Sequence, residues 1–234
     1  MASRKERELQ EEKDWNKIDE AVIASESFIM RYRNQLMIGV GAVVVLVGVY
    51  FAYQSFYLEP KNEEAQTAMF RGEQYFQAGM DSLALFGDGN AYIGFEQIIN
   101  EYGSTKSGDL AKAYAGLSYA RMGKFEEALK YLKDFKGGDE MITPAVHGAI
   151  GDCLVNTGKL EDAVSYFEKA AKSADDVLLS PIFYKKAAIV NRELKNYDKV
   201  IALFTTIKNN YMASPEASEA DKYIMEATLL KGAN

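Results

Sequence analysis

His147 is the only histidine in the chain and Cys153 the only cysteine, so neither two imidazoles nor two thiolates can gather around one metal ion. Adjacent carboxylates occur at Glu126-Glu127 and Glu161-Asp162. Both pairs fall where helices begin, and there a negative side chain complements the helix dipole without any acid–base role. Gly87-Asp88-Gly89-Asn90 has the glycines of a phosphate loop but no Lys-Ser or Lys-Thr behind them, and reads as a turn. One imidazole with scattered serines gives no nucleophile, base and orienting group as a set. The lone thiol reads as a buried small apolar residue. These patterns leave no metal, no cofactor and no catalytic constellation, and point to a non-enzymatic protein that works by binding.

The elements that would position a binding surface begin with an anchor. Residues 36–53 form 18 positions without a charge, nearly enough helix to span a hydrocarbon core, and the apolar tail to Leu58 supplies the rest. Tyr32 on one side and Tyr50, Phe51, Tyr53, Phe56 and Tyr57 on the other suit the two interfaces. Arg31 and Arg33 precede the span, whereas Glu59, Glu63 and Glu64 outweigh Lys61 after it, which predicts a cytoplasmic N-terminus and an exported C-terminal part. A 35-residue polar leader is too long for a signal-peptide n-region, so the span is read as uncleaved. Gly41 and Gly48, with Ala52 one turn beyond Gly48, are candidates for close packing of a second membrane helix.

Three regions follow: 1–35, a cytoplasmic amphipathic helix with Trp15, Ile18, Val22 and Ile29 on one stripe; 36–57, the anchor; and 58–234, the exported domain. The chain carries a net charge of −7, most of it beyond residue 35, which disfavours nucleic acid as a ligand.

The exported part repeats itself. Ala115 to Leu132 aligns with Ile150 to Phe167 at a constant offset of 35, and Ala187 to Phe204 is a third copy at an offset of 37. Phe95, Ile98, Tyr102 and Tyr114 recur 109 residues on as Phe204, Ile207, Tyr211 and Tyr223. About four helix pairs and a closing helix, Pro215 to Lys231, are predicted, stacked into an all-α superhelix. Gly123 and Gly158 are turn positions, Ala128 and Ala163 allow close helix crossings, and Ala171 is expected to tolerate a large side chain. Pro60 is expected to break the chain after the anchor, with a helix from Asn62 to Ala78, irregular chain from Gly79 to Gly89, and a further helix carrying Tyr92 to Tyr102.

The pattern Gly116, Gly123, Ala128, Leu132 and its copy Gly151, Gly158, Ala163, Phe167 resembles the tetratricopeptide repeat, although the usual first-helix tryptophan is missing. The resemblance implies a concave face lined by first-helix residues, here Leu110, Leu117, Arg121, Asp152, Asn156, Lys185, Ile189 and Arg192. The carboxylate clamp of some such domains is not reproduced, because Ala113 and Leu117 stand where its first Lys and Asn are expected. A mixed apolar and polar groove for a segment of another protein follows.

A cytoplasmic helix, one N-in anchor and an exported repeat array together resemble the YfgM-like ancillary subunits of the bacterial Sec translocon. That resemblance implies a bacterial inner-membrane protein with a periplasmic domain. Its implied partners are SecYEG, a PpiD-like membrane-anchored periplasmic chaperone, and exported polypeptides. A scaffold for outer-membrane or division factors, unrelated to secretion, is the alternative.

Overall fold

In the N-terminal unit, apolar residues one after another adopt the conformation that satisfies their backbone groups internally. Residues 37–53 form helix α1, with its side chains exposed throughout. The computed structural model describes residues 30–35, 37–138 and 141–233; the stripe from Trp15 to Ile29 lies outside them. Within Met30–Gln77 the helical chain is long and apolar enough to cross a membrane, with a mean hydropathy of 2.3 over its best window. Gln54–Leu58 make one π-helical turn. Two compact units divide between Tyr57 and Leu58.

The second unit is helical among its described residues. Helix α2 (Glu59–Gln77) starts earlier than expected, and Pro60 does not break it. Proline sits in the first turn of α2, directly after the π turn, where its fixed φ suits the helix. After α2 come α3 (Asp81–Phe86), α4 (Phe95–Tyr102), α5 (Lys106–Arg121) and α6 (Phe125–Asp134). They are followed by α7 (Ile142–Asn156), α8 (Leu160–Ala174), α9 (Leu179–Glu193), α10 (Tyr197–Asn210) and α11 (Pro215–Gly232). Thr105 and Ser214 cap α5 and α11, each side-chain oxygen accepting a backbone N–H three residues on, at 3.0 and 3.2 Å.

The stretch from Gly79 to Gly89 is not wholly irregular, because it contains α3. The reason is a repeat that the offsets of 35 and 37 do not reach. Gly79, Gly123, Gly158 and Lys195 all have φ between 59° and 75°, and after each the next N–H bonds back to a carbonyl five residues earlier. Seven residues before these turns stand Gly72, Gly116, Gly151 and Ala188; five residues after them stand Ala84, Ala128, Ala163 and Val200, all buried. The first repeat is thus a full helix pair whose second helix is split into α3 and α4 by an insertion.

Close approach explains the small residues. A Cβ on Gly116 would lie 2.5 Å from Leu132 Cγ, and one on Gly151 2.5 Å from Phe167 Cε1, while at Gly72 it would meet the Tyr92 ring and Phe95. Asp88 holds the insertion: its Oδ1 accepts N–H bonds from Asn90, Ala91 and Tyr92, and its Oδ2 accepts the Tyr75 hydroxyl at 2.9 Å. Those backbone N–H donors lower the Asp88 pKa to about 2.

Ala171 corrects another expectation. It is 1% exposed, and its carbonyl accepts the Ser180 hydroxyl at the entry to α9, so it has no room for a large side chain. Cys153 is buried as expected, and burial raises its thiol pKa to about 11.

Candidate protein-binding surface

First helices α5, α7 and α9 carry all eight residues expected on the concave face. Leu110 and Leu117 are half-buried and pack on the core. Arg121 is committed within its own domain: Nη2 donates to the Phe76 carbonyl at 2.8 Å, Nε donates to Asp81 at 2.9 Å, and the guanidinium lies 3.7 Å from the Phe76 ring centre. It ties α5 to α2 and α3 at the split repeat.

The remaining charged members bridge neighbouring first helices. Lys186 of α9 donates to Asp152 of α7 at 2.7 Å, while Lys185 and Arg192 of α9 donate to Glu219 and Glu226 of α11 at 2.5 and 3.2 Å. Each pair spans 34 residues, which is one repeat less a helical turn. The hydrogen bond from Lys185 holds the Glu219 carboxyl below its usual range, and Lys185 is itself raised. Asn156 donates to the Asp152 carbonyl at 2.9 Å.

Exposed apolar residues lie among these pairs. Ile182 and Ile189 share the α9 stripe with Lys185 and Arg192; Val155 flanks Asn156 on α7; Met225 and Leu229 flank Glu226 on α11. Sequence reasoning named only Ile189 of these. The seven-residue spacing of Ile182 and Ile189 was the available signal, because it places both on one helix face. The three stripes meet through the ion pairs and form a band of mixed character, apolar patches separated by charges already neutralised.

The membrane-packing candidates Gly41, Gly48 and Ala52 lie exposed on α1, and a Cβ on either glycine would meet no atom within 4 Å. His147 stands on α7, away from the band, against Tyr166 and Ser173 of α8. Among the described residues no three His, Cys, Asp or Glu side chains group as metal ligands would.

Residues 144–176 match the tetratricopeptide repeat. They cover α7 and α8, where the glycine, alanine and aromatic positions are most complete. Among solved structures, two crystal structures of a protein assigned as a Podosopora anserina kinesin light chain with nearly identical TPR-like repeats, one of them a point variant, are similar in fold. Each has a TM-score of 0.54 at 13% identity, over 73% of this chain and 88% of that one. No curated protein matches the sequence. The chain has a tetratricopeptide-like superhelical fold, and such repeats are protein-interaction modules.

Proposed function

We propose that this chain is a membrane-anchored, non-enzymatic protein-binding module, with the band on α7, α9 and α11 as its docking surface. The carrying observation is that the charged residues of the band neutralise one another between repeats and leave Val155, Ile182, Ile189, Met225 and Leu229 exposed. A surface of that kind suits an amphipathic or extended segment whose apolar anchors fall between the ion pairs. Asp152, Asn156, Lys185 and Arg192 then act at its polar rim, and Leu110, Leu117 and Arg121 shape the neighbouring first helix.

The partner proposed is the Sec translocon together with a membrane-anchored chaperone and its exported clients. This reading rests on the resemblance of the layout and on the charge bias that puts the repeats outside the cytoplasm. Gly41, Gly48 and Ala52 offer the close approach that a membrane partner would use.

The test is a gentle-detergent pull-down of the full chain from its own membranes, beside a form whose residues 36–57 are replaced by an unrelated spanning helix, and a second form carrying Ile182→Asp and Ile189→Asp. Recovery of SecYEG and a chaperone by the full chain, reduced in either altered form, is the expected result. Recovery of outer-membrane or division factors alone would move the protein to the scaffold alternative. Undiminished capture by the aspartate form would remove the band from the docking surface.

A further inference from the structure

A cleft of about 90 Å³ lies on the opposite side of α7 from the band, between the second helices of two successive repeats. Leu132 and Lys133 of α6, Lys136 and Gly137 of the connecting loop, Val146 and His147 of α7, and Tyr166 of α8 line it. Its volume is that of about three liquid waters, enough for one small oxyanion. No carboxylate is among the lining residues.

The charges around it are unbalanced. Lys133 from α6 and Lys169 from α8 both reach the Tyr166 ring, their ammonium groups 5.9 and 4.7 Å from its centre, and the His147 ring stands 6.1 Å from it. Two cations so placed repel one another, and neither has an ion-pair partner among the described residues. The nearest acidic side chains on the packed elements are engaged elsewhere. Asp109 accepts the Lys136 backbone N–H, and Asp109 and Asp134 both pair with Lys112, which is 6% exposed. Glu168 pairs with Lys172 at 4.0 Å. Asp139 and Glu140 lie outside the described residues. In a chain of net charge −7, Lys133, Lys136 and the His147 imidazole line this cleft, Lys169 stands over its Tyr166 wall, and the one carboxylate that feels Lys136, Asp134, is already paired with Lys112.

We infer that the cleft lined by Lys133, Lys136, His147 and Tyr166, with Lys169 beside the Tyr166 ring, is a binding site for a small oxyanion, either the carboxylate of an acidic side chain or a phosphate group. An anion seated there makes charge-assisted hydrogen bonds to the exposed lysine ammonium groups, against the half-buried His147 and Tyr166 rings, and relieves the repulsion between the cations. Lysines favour a point charge over the fork geometry that an arginine would impose. The site is separate from the proposed docking band and does not depend on it.

His147 is the reporter, because the chain has no other histidine. Burial and the Lys169 charge hold its pKa below the ordinary value, and a bound anion opposes the second cause. The experiment uses the full chain in detergent micelles, labelled at histidine. The ring resonances are followed against pH while acetate or inorganic phosphate is added at constant ionic strength. Lys133→Ala with Lys169→Ala is the altered form, and Lys199→Ala with Lys222→Ala, on exposed positions elsewhere, is the control. Saturable movement of the ring signals, with a raised His147 pKa and at least a tenfold loss of affinity in the altered form alone, is expected. Saturation by acetate identifies a carboxylate source, and saturation by phosphate alone identifies a phosphate source. Shifts that grow linearly with either anion, or that survive unchanged in the altered form while its Tm is preserved, would overturn the assignment.

Discussion

Lys195 holds the left-handed turn position that glycine holds in the three preceding repeats, with φ of 59° against 75° at Gly123 and Gly158. A Cβ in that conformation costs about 1–2 kcal/mol, whereas glycine costs about 0.5–1 kcal/mol through the unfolded chain. The first term wins. Lys195→Gly should therefore stabilise the domain by several tenths to about 1 kcal/mol in urea unfolding, and Asn196→Gly, at an ordinary φ of −82°, should not. Loss of stability in Lys195→Gly would mean that the lysine side chain contributes more than its backbone costs. Asp88 offers a second test, because its folded pKa lies below its unfolded one, near 3.9. Its contribution is present above the unfolded value and lost as pH falls toward about 2. The Tm gap between the parent and Asp88→Asn should be steady from pH 7 to 5 and should close between pH 4 and 2. A gap that persists at pH 2 would show that the carboxylate charge is not what holds the insertion.

At the scale of elements, α11 closes the array with a face made for one neighbour. Tyr223 stacks on Phe204, with ring centres 4.5 Å apart and planes within 6°, and Ala220 and Ala227 are buried. Lys185, Arg192 and Lys208 add ion pairs to it, each an exposed or half-exposed contact worth at most about 1 kcal/mol. The apolar contacts therefore decide. Removing residues 215–234 should uncover Phe204 and Ile207 and make the detergent-solubilised chain self-associate in sedimentation, whereas Lys185→Ala with Arg192→Ala should stay dispersed; a dispersed truncated chain would contradict this. The array was legible in the sequence wherever two copies kept glycine, alanine and a large side chain at a fixed offset, as in α5 to α8. It was illegible in the first repeat, because the insertion around Asp88 moved Phe95 away from Gly79 while leaving Gly72, Gly79 and Ala84 in step. Ala171 was misjudged for a related reason: an offset identifies equivalent positions but not how deeply each is buried, and Ala171 is buried with its carbonyl bonded to Ser180 at the start of the next helix. The first-helix residues were placed on the right helices, but the ion pairs between repeats could not be read, because the one-turn stagger between equivalent positions is a product of superhelical packing.

For the whole molecule, the decisive fact is a run of exposed apolar side chains in α1. Val43, Val44, Val45, Leu46, Val49, Tyr50 and Phe51 are 59 to 69% exposed, a contiguous surface far beyond what a protein leaves in water without a partner. Buried side chains lie instead in the repeats, where glycine and alanine let helices meet. Lipid is the medium that satisfies such a helix, since its backbone groups are already bonded within it and its side chains gain by transfer. The full chain should therefore remain in the membrane pellet through alkaline carbonate extraction, at its full mass of 26.1 kDa, while a form lacking residues 37–53 should appear in the supernatant. A pelleted chain shortened at its N-terminus would replace the anchor with a processed leader. A full-length chain released by carbonate would require another protein to cover α1, and the glycine-bearing face of that helix would be the place to look for it.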